Sequence, residues 1–267
     1  MPAFIRLDDP NDPRIEAYRD IRERDLVGRH GRFIAEGETV LRVLAGQDRH
    51  GPISVLIAGK RREKLAPILD ELGDDVPVYL ADQAVLDAIV GYELHRGILA
   101  LAEKAPAVAA DDLLAGLGPR ALVLVLVGIG NHDNMGGLFR NAAAFGVDAV
   151  LLDPTCCDPL YRKAIRVSVG GVLRVPYAQL DAGDDLIGLL ERRGLTPIAL
   201  SPAGETALHE LAPPPRAALL LGAEGPGLPA AVMARCRTVS IPMAGGFDSL
   251  NVATTGGIAL HHLRATG

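Results

Sequence analysis

The sequence predicts an α/β protein with two domains. Apolar runs of strand length alternate with helical patterns along most of the 267 residues, an order typical of a mostly parallel sheet with helices on both faces. A segment rich in alanine, proline and glycine, Lys104–Pro119, divides this alternation into two regions. We therefore predict a smaller domain over residues 1–106, a linker with a short helix over 107–119, and a larger domain over 120–267.

The composition is that of a folded protein without a membrane segment. Hydrophobic residues make up 49% and charged residues 22% of the chain, which excludes a disordered protein. The longest apolar run, Ala121–Val127, is much shorter than the ~18 residues of a membrane-spanning helix. The first residues lack the basic and apolar segments of a signal peptide, and three cysteines make no disulfide framework. We expect a cytoplasmic protein with reduced thiols.

The net charge of −6 is not that of a typical nucleic-acid-binding protein. Residues 1–106 hold 15 Lys and Arg against 19 Asp and Glu, and residues 107–267 hold 12 against 14. Contacts with a nucleic acid would therefore come from local patches, and from charge alone a solvated helix face is the favoured interpretation of each. The candidates are the six arginines of Arg14–Arg32, then Lys60–Lys64, then Arg162, Lys163 and Arg166.

The first region alternates short helices and strands. Asp12-Pro13 is typical of a helix start, and the apolar residues after it predict a helix that extends to Leu26. The other predicted elements are the strand Phe33–Ala35, the helix Thr39–Leu44, the strand Ile53–Ala58, the helix Lys64–Leu72, the strand Val76–Leu80, the helix Gln83–Val90 and the strand Gly97–Ala102.

The second region alternates more clearly. Ala121–Val127 is a continuous apolar run, as expected of a strand that is buried on both faces. The later predicted elements are the helix Met135–Phe145, the strand Asp148–Leu152, the helix Pro159–Val169, the strand Val172–Tyr177, the helix Asp185–Arg193, the strands Pro197–Leu200 and Ala217–Leu221, the helix Pro229–Ala234, the strand Thr238–Ile241 and the helix Ser249–Leu263.

The first segment whose residues could bind a ligand or take part in a reaction is Gly128–Arg140, which follows a buried strand and opens a helix. Its glycines would let the backbone approach a ligand, and Asn131, Asp133 and Asn134 are each suited to cap the helix. Arg140 comes six residues after Asn134, so we expect both to face one end of the sheet. A capped helix with a surface arginine explains the same residues.

A dinucleotide site is an alternative interpretation of this segment. Gly128 and Gly130 follow a strand, and Asp153 ends the next strand. In the dinucleotide-binding fingerprint an acidic residue about 20 positions after the glycines holds the ribose. The third glycine of that fingerprint is missing. An NAD(P)-dependent enzyme would explain this segment alone and would leave Ser249-Leu250-Asn251 without a role.

Two further glycine-rich segments follow buried strands. Leu219–Leu228 places Glu224 in a turn with three glycines, at the kind of strand end where open α/β sheets bind ligands. Ser240–Ala259 begins with a strand and continues through a loop into a helix that Ser249 is suited to cap. Gly256-Gly257 lies inside that helix, and because each glycine costs about 1 kcal/mol there, we infer close packing or ligand contact.

The order of these segments resembles the SpoU/TrmH family of RNA ribose 2′-O-methyltransferases, which belongs to the SPOUT superfamily. The resemblance covers residues 120–263. It is carried by Asn-x-Gly-x-x-x-Arg from Asn134, by Gly-x-Glu-Gly-x-Gly-Leu from Gly222, and by Ile-Pro-Met followed by Ser-Leu-Asn-Val. Residues 32–41, RFIAEGETVL, look like the small L30e-like substrate-binding domain of many members.

The resemblance implies a knotted parallel-sheet domain that binds S-adenosylmethionine in a bent shape and works as a homodimer on rRNA or tRNA. By position, the cofactor contacts would come from Gly222, Ile241, Met243 and Leu250. No metal is implied, and the seven histidines show no ligand spacing.

The matching catalytic residues are Asn134, Arg140, Glu224, Ser249 and Asn251. Arginine stays protonated at neutral pH, so Arg140 would stabilise the developing 2′-oxyanion and the neighbouring phosphate. Asn134 and Ser249 would position the ribose, and Glu224 would orient loop amides or a donor.

Two departures from the family pattern concern the site loops. Asn131-His132 stands where many relatives have Asp-Pro, and His132 is interpreted as an exposed loop residue. Gly246-Phe247-Asp248 precedes Ser249 and puts an acid near the site. Tyr161 with the cations of 162–166 offers stacking and phosphate contacts to RNA, although a solvated helix face explains them equally well. A non-catalytic RNA-binding relative is the second alternative, which the intact motif residues argue against.

Overall fold

The computed structural model describes residues 2–19, 27–28, 30–91, 94, 97–245 and 249–264. The chain divides into two compact units. The first comprises Met1–Pro106 and Leu160–Arg174, and the second Ala107–Pro159 and Val175–Gly267. Leu160–Arg174 thus groups with the first unit, although it follows the linker and we predicted it as part of the larger domain. None of the described helices is both long and apolar enough to cross a bilayer.

The described elements, numbered in chain order, follow most of the predicted alternation. The strands are β1 (Phe4–Leu7), β2 (Arg32–Glu36), β3 (Pro52–Ala58), β4 (Val78–Ala81), β5 (Ile98–Glu103), β6 (Ala121–Val127), β7 (Ala149–Leu152), β8 (Tyr177–Gln179), β9 (Thr196–Leu200), β10 (Thr206–Ala207), β11 (Arg216–Gly222) and β12 (Arg237–Ser240). The α-helices are α1 (Glu38–Ala45), α2 (Arg62–Leu69), α3 (Gln83–Val90), α4 (Ala110–Ala115), α5 (His132–Ala144), α6 (Arg162–Val167), α7 (Gly171–Arg174), α8 (Leu186–Arg192), α9 (Ala230–Met233) and α10 (Val252–Arg264).

The first unit contains, in its described part, a five-stranded mixed sheet in the order β1-β4-β3-β5-β2. Strands β1, β4 and β3 are parallel, whereas β5 runs antiparallel to both β3 and β2. Strand β1 was not predicted, because four residues at a sheet edge carry little periodicity. The buried face of this sheet packs into a core that includes Leu56, Leu86 and Leu99.

The predicted helix after Asp12-Pro13 is wrong over its described part. A short 3-10 helix spans Pro13–Tyr18, and Arg19 has an extended backbone. The Asp12 side chain caps this turn by accepting from the amide of Arg14 at 2.9 Å. Tyr18 donates to the carbonyl of Ser54 at 2.9 Å, so tertiary contacts hold the turn. The predicted continuation through Ile21 to Leu26 lies outside the described residues.

The second unit contains a seven-stranded sheet among its described residues, in the order β10-β12-β9-β11-β6-β7-β8. Every described pairing is parallel. Central β6 and β11 pair over seven positions, from Ala121 with Arg216 to Val127 with Gly222. Both are almost wholly buried, and burying each large aliphatic side chain contributes about 1.5–3 kcal/mol. The predicted parallel sheet of this region is therefore confirmed.

The predicted strand Val172–Tyr177 is wrong. Val169 and Gly170 have φ angles of 55° and 81°, which ends α6, and α7 begins at Gly171. Strand β8 starts only after Pro176. A short apolar run fits a buried strand and a buried helical turn equally well, and here tertiary burial of Val172 and Leu173 stabilises the turn.

Helix α10 packs closely on α5 because both carry glycines at their contact. A Cβ on Gly137 would lie 2.8 Å from the Cβ of Ala253, and one on Gly256 would lie 2.7 Å from Cδ2 of Leu138. Asn141 donates to the carbonyl of Ala253 at 2.6 Å. The packing reason inferred for the glycines of this helix is confirmed for Gly256.

Candidate active site

Loops from two neighbouring strands meet at the carboxyl edge of the larger sheet. Strands β6 and β11 are parallel partners that end together, Val127 opposite Gly222. The residues after β6 lead into α5, and the residues after β11 form a tight turn in which Ala223 bridges Gly227. Ligands of open α/β sheets bind outside such carboxyl ends, so a ligand site is expected at this edge.

Three predicted site residues form one hydrogen-bonded cluster at this edge. The side-chain amide of Asn134 donates to Oε1 of Glu224 at 3.0 Å, and that of Asn251 donates to the same oxygen at 3.1 Å. The Asn251 amide also donates to Oδ1 of Asn134 at 2.8 Å. Bonds to a carboxylate are roughly twice as strong as neutral ones, so the two amides fix the Glu224 side chain.

Helix starts position both asparagines. Asn131 caps α5, since its Oδ1 accepts from the amides of Asp133 and Asn134 at 2.7 and 3.4 Å. Asn251 caps α10, since its Oδ1 accepts from Ala253 and Thr254. The N-cap predicted at Ser249 is therefore wrong. The capping bonds orient the Asn251 side chain so that its Nδ2 faces the cluster.

A cavity of about 540 Å³ lies beside the cluster. Its wall is mostly apolar, with a few polar side chains, which is the usual construction of a small-molecule site. The lining residues are Leu200, Ser201, Pro202, Leu221, Gly222, Ala223, Glu224, Gly225, Gly227, Leu228, Ile241, Met243, Ser249, Leu250, Asn251, Val252 and Thr255. The structure thus brings the predicted Gly222, Ile241, Met243 and Leu250 into one wall.

Sequence reasoning missed one side of this cavity. Leu200 ends β9, Ser201 and Pro202 follow it, and Thr255 lies on the first turn of α10. The available signal was the sheet order, because β9 is the neighbour of β11 and its carboxyl end must reach the same edge. That order was not evident from the sequence.

Gly222 allows the turn after β11 to close on itself. A Cβ at this position would lie 2.3 Å from the backbone carbon of Gly227 and 2.4 Å from the amide nitrogen of Leu228. These are backbone atoms, which cannot move aside as the end of a flexible side chain can. Only glycine therefore allows the turn that forms this part of the cavity wall.

A second cavity of about 180 Å³ lies on the other side of Glu224. It is lined by Gly128, Ile129, Gly130, Asn131, Asn134, Ala223 and Glu224. Glu224 and Ala223 line both cavities, so the cluster stands at their common wall. Such a wall is suited to bring two bound molecules face to face.

Arg140 is the predicted catalytic residue that the structure does not bring to the cavities. It is exposed on α5 and lines neither of them. Asn134 on the same helix is only 7% exposed. Six residues turn a helix by about 240° beyond a full turn, so the two side chains project from different faces of α5. The expectation that Asn134 and Arg140 face the same end of the sheet is therefore wrong.

The loop residues of the dinucleotide alternative have structural partners. Oδ1 of Asp153 accepts from the amides of Gly128 and Thr155 at 3.0 and 3.1 Å and from the Thr155 hydroxyl at 2.9 Å. These bonds close the loop after β6. His132 is the first residue of α5 and half-buried, so its interpretation as an exposed loop residue is wrong.

The cysteines are unsuited to nucleophilic catalysis. Burial raises the pKa of Cys156 to about 12 and the pKa values of Cys157 and Cys236 to about 11. The reactive thiolate is therefore scarce at neutral pH. Among the described residues, no cluster of three His, Cys, Asp or Glu side chains could hold a metal ion.

Comparison with known proteins identifies relatives over almost the whole chain. The family model described as "SpoU rRNA Methylase family" matches residues 121–261. An uncharacterized tRNA/rRNA methyltransferase of Mycobacterium bovis is 39% identical over 97% of this chain and 91% of its own length. The 23S rRNA (guanosine-2′-O-)-methyltransferase RlmB of Salmonella typhi is 29% identical over 77% of this chain and 86% of its own.

A solved structure has the same fold. The AdoMet-bound rRNA methyltransferase from Sinorhizobium meliloti superposes with a TM-score of 0.82, covers 98% of each chain and is 22% identical. At that identity the likeness concerns the fold.

Proposed function

Because the chain belongs to the SpoU rRNA methylase family, we propose that it transfers a methyl group from S-adenosylmethionine to a ribose 2′-hydroxyl of rRNA or tRNA. The observation that carries this proposal is the cluster of Asn134, Glu224 and Asn251 at the wall between two cavities. The larger cavity suits the cofactor, and the smaller one suits the acceptor ribose. A cytoplasmic location follows from such a substrate.

The larger cavity fits S-adenosylmethionine in size and in lining. Its volume of about 540 Å³ lies within the 300–1,000 Å³ usual for small-molecule sites. Leu200, Ile241 and Leu250 offer apolar surface to an adenine ring and to the methylene groups of the methionine part, while Ser201 and Thr255 offer polar groups. The tight turn at Gly222 leaves backbone within reach of the ligand. We propose Gly222, Ile241, Met243 and Leu250 as cofactor-binding residues.

The residues of the common wall would prepare the acceptor. Bound S-adenosylmethionine supplies an electrophilic methyl group on a sulfonium. A ribose hydroxyl is a weak nucleophile, so the protein must orient it and favour negative charge on its oxygen. Asn134, which lines the smaller cavity, would position the ribose, with Ser249 acting from the side of the larger cavity. Asn251 would hold Asn134 and Glu224 in place. The exposed part of Glu224 would orient a donor or the loop amides.

Arg140 would act on the acceptor's charge from outside the two cavities. Its guanidinium carries a permanent positive charge, which would bind a phosphate of the RNA next to the acceptor ribose, outside the smaller cavity. Its exposure on α5 leaves it accessible to a large substrate. We propose it as a catalytic residue that contacts RNA.

We also propose that the protein is a homodimer with a knotted second domain. The support for the dimer is the family resemblance of residues 120–263, and Ile258 of α10, which is 42% exposed, is an apolar side chain that a subunit interface would cover. The proposal of the knot rests on the same resemblance. Sedimentation equilibrium tests the dimer, and a monomeric mass at micromolar concentration would contradict it.

The deciding experiment is methyl transfer from radiolabelled S-adenosylmethionine to total RNA from cells that lack this protein. The wild type should yield labelled 2′-O-methylnucleoside, and gel sizing would separate rRNA from tRNA. Arg140→Ala should bind the cofactor but lose labelling. Cofactor binding without label would favour a non-catalytic RNA-binding role, and tight binding of a nicotinamide nucleotide instead would favour the dinucleotide alternative.

A further inference from the structure

The residues after β7 run alongside the loop that forms part of the smaller cavity. Residues 128–130 of that loop line the cavity. The amide of Asp153, the first residue after β7, donates to the carbonyl of Leu126 at 3.0 Å, and the amide of Cys157 donates to the carbonyl of Ile129 at 2.9 Å. The contact of β6 with β7 therefore continues past the ends of both strands, up to the cavity.

The side chain of Asp153 binds the first residue of the cavity loop. Its Oδ1 accepts from the amides of Gly128 and Thr155 at 3.0 and 3.1 Å, and the Thr155 hydroxyl lies 2.9 Å from each carboxylate oxygen. Because hydrogen bonds to a carboxylate are about twice as strong as neutral ones, this set fixes the Gly128 amide. Asp153 lines neither of the two cavities, so its carboxylate acts on the loop.

Gly128 transmits the position of this loop to the common wall. Its φ of 71° lies in the left-handed region that favours glycine. A Cβ at this position would lie 3.2 Å from the Cβ of Ala223, and Ala223 lines both cavities. The backbone at Gly128 is thus packed against the common wall, and a shift of this backbone changes the width of the smaller cavity.

Cys156 binds the second residue of the cavity loop. Its Sγ accepts from the amide of Ile129 at 3.3 Å and donates to the carbonyl of Leu126 at 3.3 Å. Burial raises the pKa of this thiol to about 12, so the thiol keeps its proton at neutral pH and can form both bonds. Ile129 is buried, and a buried amide that loses its acceptor is costly.

We propose that Asp153, Thr155 and Cys156, the supporting loop, are positioning residues that determine the shape of the smaller cavity and thereby orient the acceptor ribose. The inference rests on the proposed function, which assigns the ribose to that cavity. The supporting loop acts through the amides of Gly128 and Ile129. Its effect on the rate is large because a displacement of about 1 Å between reacting groups can slow a reaction about 10²-fold.

The chain offers a matched control at the other end of β7. The amide of Asp148 donates to the carbonyl of Leu122 at 2.9 Å, and Oδ2 of Asp148 accepts from the Leu122 amide at 2.8 Å. Asp148 precedes β7 and Leu122 lies at the start of β6. Asp148 therefore joins the same two strands with the same kind of bonds, at the end opposite the cavities.

The test compares Asp153→Ala with Asp148→Ala. Each variant loses one carboxylate bond between the segments of β6 and β7, so Tm should fall in both. We expect kcat for methyl transfer to RNA to fall about 10²-fold in Asp153→Ala and hardly at all in Asp148→Ala. The affinity for S-adenosylmethionine, measured by calorimetry, should stay close to that of the wild type in both. Equal losses of kcat in the two variants, or wild-type kcat in Asp153→Ala, would overturn the proposal.

Variants of Cys156 keep the test decisive if Asp153→Ala folds poorly. Cys156→Ala removes both bonds of the thiol, and we expect kcat to fall about tenfold, which corresponds to about 1.4 kcal/mol. Cys156→Ser keeps a donor and an acceptor, so most of this loss should be recovered. Cys236→Ala is the thiol control, because Sγ of Cys236 donates only to the carbonyl of Val232 among its printed partners at 3.2 Å. Wild-type kcat in Cys156→Ala, or equal rates for its Ala and Ser variants, would overturn the proposal.

Hydrogen exchange gives a measure of the supporting loop that does not depend on activity. A peptic fragment that spans residues 127–131 should exchange faster in Asp153→Ala and Cys156→Ala, whereas Asp148→Ala should affect the fragment around Leu122. Faster exchange at 127–131 without any labelled RNA from the wild type would leave the supporting loop and remove the transferase. Labelled RNA from the wild type, with unchanged exchange and kcat in the loop variants, would leave the enzyme and remove the supporting loop.

Discussion

The side-chain amide of Asn134 donates a 3.0 Å hydrogen bond to Oε1 of Glu224, and the two residues are 90 positions apart in the chain. Asn134 follows β6 and Glu224 follows β11, so the parallel pairing of these strands creates the contact. Asn251 then joins both from the start of α10. The polar centre of the candidate site is therefore built from three separate segments around one carboxylate.

Replacing Glu224 tests the value of that carboxylate. In Glu224→Gln the shared acceptor Oε1 loses its negative charge, so both amide hydrogen bonds to it weaken and the common wall should loosen. We expect kcat for methyl transfer to fall about 10²-fold, the size typical of losing one organised polar contact, while the affinity for S-adenosylmethionine changes little. Single-turnover kinetics and equilibrium dialysis measure the two quantities. Glu210→Gln, at an exposed carboxylate, is the control, and equal rates for both variants would contradict the prediction.

Gly222→Ala should damage the cofactor cavity. The added Cβ would lie 2.3 Å from the backbone of Gly227, so the turn after β11 must shift. Overpacking of this kind costs about 1–3 kcal/mol, and we expect at least a tenfold weaker affinity for S-adenosylmethionine by calorimetry. Gly116→Ala is the matched control, because its Cβ would meet only a carbonyl oxygen at 3.8 Å. Wild-type affinity in Gly222→Ala would show that the turn does not contact the ligand.

Gly256→Ala should destabilise the second unit through the contact of α10 with α5. The new methyl group would lie 2.7 Å from Leu138 and 2.9 Å from Leu221, both of them buried. We expect the free energy of unfolding to fall by about 1–3 kcal/mol, measured by urea denaturation. Thr254→Ala on the exposed side of the same helix should stay within about 0.5 kcal/mol of the wild type. If the free energy of unfolding of Gly256→Ala equals that of the wild type, the contact of α10 with α5 can accommodate an added methyl group.

His50 should make the first unit sensitive to acid. Burial, aided by the charge of Arg49, lowers the pKa of His50 to about 4. The unfolded chain has the ordinary value of about 6.5, so between these values the unfolded state binds more protons than the native state. Stability is therefore full above about pH 6.5 and is lost progressively as the pH falls towards 4.

The variant His50→Phe isolates this effect. It keeps an edge contact with Phe33, now at 5.2 Å between ring centroids, and loses the bond that Nδ1 accepts from the amide of Ala105 at 3.1 Å. Its Tm should be lower near neutral pH but should fall less between pH 6.5 and 4.5. His209→Gln, at an exposed histidine, should retain the wild-type profile. A parallel decline in all three proteins would assign the acid sensitivity to other groups.

The sequence alone determined the elements whose side-chain pattern allows one interpretation. Ala121–Val127 is a buried strand with the predicted bounds, because a seven-residue aliphatic run that is rich in valine and followed by a glycine favours a strand covered on both faces. Gln83–Val90 is likewise the predicted helix. The motif residues Glu224, Asn251 and Asn134 were found by their order along the chain, and the structure brings them within hydrogen-bonding distance. Their catalytic roles stay a prediction.

Only the tertiary structure decided the rest, because those features depend on atoms distant in sequence. Val172 and Leu173 are apolar enough for a strand, yet their burial and the turn at Gly170 make them a helical turn. Asn251 caps α10 in place of Ser249, since its amide also gains Glu224 and Asn134 as partners. The separation of Arg140 from the cavities, and the meeting of Glu36 with the arginines of α6, follow from helix rotation and packing, which no local pattern encodes.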